Sequence, residues 1–330
     1  MEALSANHRI ARAFALVATS VVLACGDEGT ARDVSPKDHG ERPMVVYNAA
    51  AIARPMRAVL DSFRVETGIP YEQETSASLE LARKVAELGG EPDVIALADP
   101  EIFPKLLEPR FTTWHALFGR NRIVLAYTPR SRGAAEITPD NWFRVLGRSG
   151  VEVGRADPNT DPSGYRTLLV WQLAERHYKE PGLYARMLRA APAKNVRPRE
   201  ADQVALLEVG EYDYIWTYQN LAENAGLRYV KLPDAIDLGE PADSATYALA
   251  SVRVAGRSLG DSLTLTGRPI LFAVTVPRGA RHRDAAEQFV GFLLSPTGRR
   301  ILRSAHFDAI ETPAVVGSGA PASLQPAPRR

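Results

Sequence analysis

Residues 44–67 read MVVYNAAAIARPMRAVLDSFRVET, and two different periods sit side by side in them. Met44-Val45-Val46-Tyr47 is a short apolar run of strand type. From residue 55 to 67, apolar Met56, Val59, Leu60 and Phe63 recur at helical spacing, which puts them on one face. The rhythm then repeats. Leu81, Val85 and Leu88 share one face of a helix over 79–88, and Asp93-Val94-Ile95-Ala96-Leu97 follows as a buried strand. This βαβ order predicts an α/β protein with mainly parallel sheets.

Working outward, Arg122-Ile123-Val124-Leu125-Ala126-Tyr127 reads as a further strand. The sequence then restarts with a helix at Asp140-Asn141-Trp142-Phe143 and a strand over 151–154. A helix after Pro162, another over 204–208 and a strand over 212–218 continue this second block. Residues 270–276 supply a strand and 285–294 an amphipathic helix that return to the first block. The expected organisation is therefore one lobe of 43–128 plus 246–316 and a second of 129–245. Residues 26–42 are polar and aperiodic, hence a flexible tether, and 317–330 a disordered tail.

The bulk composition narrows the function classes. Of 330 residues, 24% are charged and 45% hydrophobic, as in ordinary globular proteins. Forty Lys and Arg against thirty-nine Asp and Glu leave a net charge of +1, so no overall field points to nucleic acid. An anion site must be local. The single cysteine, Cys25, excludes an intramolecular disulfide. It ends the apolar stretch 13–24, behind His8, Arg9 and Arg12 and ahead of Gly26-Asp27-Glu28. Val22-Leu23-Ala24-Cys25 resembles a bacterial lipobox, so 1–25 reads as a lipoprotein signal peptide with Cys25 as the lipidation site. An ordinary leader cut near Ala24 and an uncleaved anchor are the alternatives. The stretch is shorter than the roughly 20 residues of a membrane span.

Three loops place small or polar residues directly before a helical pattern, where unpaired backbone N–H groups favour an anion. They are Asn48-Ala49-Ala50-Ala51, Thr75-Ser76-Ala77-Ser78 and the run from Asp157 to Arg166. Ser and Thr in the second loop also suit helix capping. Asp161 before Pro162 is an N-cap candidate, and Glu200 opens another helix, where a carboxylate complements the dipole. By spacing alone a structural role accounts for both carboxylates.

The assembled motifs resemble the archaeal-type tungstate/molybdate-binding proteins of the type II periplasmic binding protein superfamily. The clearest are Trp142-Phe143, Asn159-Thr160-Asp161-Pro162-Ser163-Gly164-Tyr165-Arg166 and Gln172-Leu173-Ala174-Glu175. Further agreement lies in Phe118-Gly119-Arg120-Asn121, Leu206-Leu207-Glu208-Val209-Gly210-Glu211-Tyr212-Asp213-Tyr214 and Gly267-Arg268-Pro269-Ile270. The resemblance implies two α/β lobes joined by a hinge around a ligand cleft, and an extracytoplasmic protein that serves an ABC importer. It implies tungstate or molybdate as the transported ligand rather than a cofactor, no catalysis, ABC permease subunits as partners, membrane contact by lipid anchor, and a monomer. Carried over by motif position, the ligand-binding residues are Ala50, Ala51, Ser78, Asp161, Glu200 and Tyr218. In that family two carboxylates complete the coordination of the metal in the oxyanion; here they are Asp161 and Glu200.

The chain departs from the family at Ala49-Ala50-Ala51, where Ala-Gly-Ser is usual, at Ser163, where Cys is frequent, and in a shortened segment between Tyr184 and Arg197. A binding protein for sulfate, phosphate or a carboxylate, a hydrolase using Asp161, Glu200 and His177, and a receptor of the same fold are the competing readings. No nucleophile motif or phosphate loop supports the hydrolase, and His177 reads as a surface or capping residue. Arg166 and Arg199 are expected to brace the acidic loops.

Overall fold

The computed structural model describes residues 42–256 and 260–324. The proposed leader, Cys25 and the tether as far as Glu41 lie outside the described residues, as do 325–330. Met44–Ala49 is a strand buried along nearly its whole length, as an interior parallel strand must be. It pairs in parallel with Tyr71–Ser76 on one side and Val94–Leu97 on the other. Beyond Val94–Leu97 the same sheet continues through Ile270–Thr275, Trp114–Asn121 and Asp308–Gly317, all antiparallel. The strand from the far end of the chain is thus wedged between two from the beginning.

The second sheet runs Val196–Arg197, Val153–Ala156, Tyr214–Tyr218, Ile123–Tyr127 and Arg228–Lys231. Its first two pairings are parallel and the last two antiparallel. Both sheets are therefore mixed. Mainly parallel pairing was expected from the βαβ rhythm and holds in each lobe only where that rhythm runs. Where the chain crosses between lobes it reverses and pairs antiparallel. Ile123–Tyr127, expected in the first lobe, pairs in the second sheet, so the crossing falls at Arg122.

Helices cover the sheets where their apolar faces dictate. Ala53–Thr67 buries Met56, Val59, Leu60 and Phe63 and ends at Gly68, whose φ of 76° an L side chain rarely adopts. Phe63 packs edge-on against Phe289 of Arg283–Leu294, ring centroids 5.3 Å apart. In the second lobe Pro162–His177 is buried almost all round, and its Trp171 meets Trp216 and, through it, Trp142. A two-stranded hairpin, Ser251–Ala255 with Ser262–Thr266, lies beside that helix. The tail expected to be free from residue 317 is held as far as Leu324. Ser318 N donates to Thr113 O at 2.9 Å, and Leu324 is buried.

Candidate ligand-binding site

The two lobes meet along loops at strand ends and helix starts, where ligands bind in open α/β sheets. Asp161 caps Pro162–His177 as its spacing predicts: Oδ1 accepts from Ser163 N at 2.9 Å and Ser163 Oγ at 3.0 Å. Its other oxygen, Oδ2, accepts from Glu200 N at 3.0 Å, which brings the two acids together across 39 positions of sequence. Glu200 does not cap its helix. Its side chain turns inward instead, and Oε1 accepts from Thr217 Oγ1 and Tyr218 N. Oε2 is buried and has no partner among the described residues. Glu200 is 0% and Asp161 5% exposed. Burial, and then the charge of Asp161, holds the Glu200 carboxyl above the usual range, and burial likewise raises Asp161.

Neutral donors lie on segments linked to this pair by sequence or hydrogen bonds. Tyr218 Oη accepts from Arg166 Nη1 at 2.6 Å, and burial pushes its pKa well above the usual value. The phenol therefore keeps its proton. Ser78 does not cap the Ser78–Glu87 helix; Oγ accepts from Ala98 N at 3.0 Å, and its own proton has no acceptor among the described residues. Ala50 and Ala51 open a 3-10 turn, so their N–H groups lack partners within it. Asn220 Nδ2 donates to Ala51 O at 2.7 Å, while Asn121 Nδ2 donates to Asn220 Oδ1 at 2.6 Å, joining the first loop to the segment after Tyr218.

Arg166 closes the circuit between the lobes. Nη1 also donates to Ala98 O at 2.6 Å, and Nη2 lies 3.3 Å from Asp99 Oδ2, which accepts from Tyr165 Oη as well. Hydrogen bonds thus run from Ser78 through Ala98, Arg166, Tyr218 and Glu200 to Asp161. Ala51 is bonded to Asn220, two positions after Tyr218 in the chain, and not to the circuit itself. Of the six sequence-predicted residues, Ser78, Tyr218, Glu200 and Asp161 lie on this circuit. Arg166, expected to brace the acidic loops, instead ties Tyr218 to Ala98 and Asp99, and Arg199 pairs with Asp202 at the surface, Nη2 to Oδ1 2.9 Å. His177 is exposed in the last turn of its helix, away from the acids.

Sequence reasoning did not single out Thr217, Asp99 or Asn220. Asp99 carried a usable signal, a polar residue two positions beyond a buried parallel strand. Thr217 and Asn220 carried none, because their partners are fixed only by the fold.

The family described as bacterial extracellular solute-binding protein matches residues 44–308. The chain is 39% identical over 284 residues to an uncharacterized solute-binding protein of Petrotoga mobilis, covering 86% of this chain and 88% of that one. It is 32% identical over 303 residues to the molybdate/tungstate-binding protein WtpA of Pyrococcus abyssi, covering 83% and 87%. Among solved structures, the sulfate-binding protein SubI from Mycobacterium tuberculosis H37Rv matches with a TM-score of 0.58 at 16% identity, covering 86% and 89%. The periplasmic molybdate-binding protein of Azotobacter vinelandii gives 0.57 at 16%, covering 80% and 98%. At that identity these two structures carry the fold, two α/β lobes. With the match running from the first strand of the first sheet to the start of its last, the chain belongs to the bacterial extracellular solute-binding proteins.

Proposed function

We propose that this solute-binding protein captures tungstate or molybdate between its lobes and delivers it to the permease of an ABC importer. The observation that carries the reading is the buried pair Asp161 and Glu200, with Glu200 Oε2 lacking any partner among the described residues. Ionised carboxylates beside a dianion repel it, by roughly 4 kcal/mol per unit-charge pair at 4 Å and an effective dielectric of 20, and Glu200, pushed up to about 8, must also give up its proton to ionise there. A tetrahedral anion with no further valence on its central atom leaves that repulsion unrelieved. A high-valent metal centre is a hard Lewis acid that accepts carboxylate oxygen and converts repulsion into bonding. Ser78, Tyr218 and the N–H groups of Ala50 and Ala51 would then serve the oxyanion's own oxygens, where hydrogen bonds to charge are strongest.

In this reading the lobes exchange chain at Arg122 and again between Leu238 and Ile270, whose O and N are bonded at 2.8 Å. Closure about these crossings buries the ligand and shapes the surface that a permease recognises. Cys25 carries the lipid that keeps a monomer at the outer face of the membrane. The relatives' character as solute-binding proteins supports a transport role without catalysis.

A thermal-shift screen against tungstate, molybdate, sulfate, phosphate and chromate at matched ionic strength tests the reading. Ligand at 1,000 times its dissociation constant adds about 4 kcal/mol to stability. Tungstate or molybdate should raise the melting temperature, sulfate should not, and Asp161→Asn or Glu200→Gln should abolish the rise. An equal response to sulfate or phosphate, or none to either metal oxyanion, removes the ligand assignment and leaves the family.

A further inference from the structure

The loop from Asp157 to Asp161 carries the first of the paired acids and is held from both lobes. Within its own lobe, Thr160 Oγ1 donates to Pro198 O at 2.6 Å, and Asp157 Oδ1 accepts from Asn159 N at 2.8 Å. From the other lobe, two successive carbonyls of the loop are taken. Asn159 O accepts from Arg83 Nη1 at 2.7 Å, and Thr160 O accepts from Leu79 N at 3.1 Å. The second arm of Arg83, Nη2, donates to Ala255 O at 2.8 Å, and Ala255 N returns to Asn159 Oδ1 at 3.0 Å. One guanidinium thus joins three segments: the Ser78–Glu87 helix, the Asp161 loop and the hairpin strand Ser251–Ala255.

Arg83 makes no ion pair among the described residues, and both of its acceptors are main-chain carbonyls. Its contribution is therefore geometric. The planar fork reaches two carbonyls on separate segments at once, which a single ammonium cannot reproduce. With carbonyls 159 and 160 both turned toward the first lobe, the next residue, Asp161, faces inward to Ser163 and Glu200. We propose that Arg83 is a positioning residue that latches the closed cleft over the Asp161 loop and slows solute release without touching the solute. The inference rests on the solute-binding site described above, but not on which anion fills it.

Two amides report the latch directly. Leu79 N lies in the first turn of its helix, where no intrahelical acceptor exists, so its bond to Thr160 O forms only when the lobes are together. Ala255 N reports the hairpin end of the latch: its strand is tied to the Pro162–His177 helix through Ser251 and Gln172, so its bond to Asn159 Oδ1 follows Arg83 rather than the meeting of the lobes. Amide hydrogen exchange on the ligand-free full chain compares the native protein with Arg83→Met and Arg83→Lys. Arg83→Met should speed exchange at Leu79 and Ala255 about tenfold and leave the Ala53–Thr67 helix unchanged, with Arg83→Lys between. With tungstate as probe, dissociation should quicken about tenfold at an unchanged association rate. Unchanged exchange at both amides, or an equal rise throughout the chain, overturns the latch. Equal tungstate dissociation from the native protein and Arg83→Met overturns its role in retention. If the two amides respond as expected while no oxyanion binds the native protein, the latch stands and the ligand reading falls.

Discussion

In the proposed site Thr217 acts on a carboxylate rather than on the ligand. Its hydroxyl shares Glu200 Oε1 with Tyr218 N and so fixes which way the carboxylate points. Thr217→Val keeps the shape and removes the donor. Losing one hydrogen bond to a charged group should weaken tungstate binding about tenfold or more, measurable by calorimetry, with Thr217→Ser restoring most of it. The capping role of Asp161 was legible because an Asp-Pro pair before a helical pattern has few other uses. Glu200, by its spacing a carboxylate that complements the dipole of the helix it opens, turns its side chain inward instead. A carboxylate at a helix start is ambiguous in sequence, and its direction is decided by Thr217 and Tyr218, on a strand that folds back beside it.

At the scale of elements, the Pro162–His177 helix and the Asp157–Asp161 loop fit together through Gly164. A Cβ there would lie 2.6 Å from Ala156 O and 2.6 Å from the carbonyl carbon of Asp157, both main-chain atoms that cannot swing aside. Gly164→Ala should cost about 1 to 3 kcal/mol in urea unfolding and displace the acidic loop enough to remove the ligand-induced thermal shift. Interior elements such as Met44–Ala49 and Ala53–Thr67 were readable because burial imposes a period. Tyr71–Ser76, sequence YEQETS, was not foreseen as a strand: it sits at the edge of its sheet, half-buried except at exposed Glu72, so no apolar alternation marks it. The hairpin strands pass unnoticed for the same reason, each with only one fully buried residue.

Over the whole molecule, the crossing between lobes holds a buried charge. Asp237 is fully buried, accepts from Gly239 N at 2.7 Å and pairs with Arg122 Nη1 at 2.9 Å, while Arg122 also reaches Asp234 at 3.2 Å. Burial outweighs these partners and raises the Asp237 pKa from 3.8 to about 6. A raised carboxyl pKa stabilises the fold below about 4 and loses that contribution as pH rises through about 6. Relative to Asp237→Asn, the native protein should therefore lose about 3 kcal/mol between pH 4 and pH 7, read from denaturant unfolding at both. Two lobes were expected from the restart of the pattern after residue 128. The crossing itself was misplaced, because an apolar strand gives no sign of which sheet it joins.

The wedged position of Ile270–Thr275 sets a timetable for synthesis. Until residue 275 has emerged from the ribosome, Trp114–Asn121 and Val94–Leu97 have no strand to bridge them, and the nascent first lobe is a sheet with its middle missing. The second block, complete by residue 231, has all its strands well before that. A chain released early is therefore a folded insert beside a half-built sheet, with Val94–Leu97 and Trp114–Asn121 left as open edges, and one held unfolded until complete escapes that intermediate.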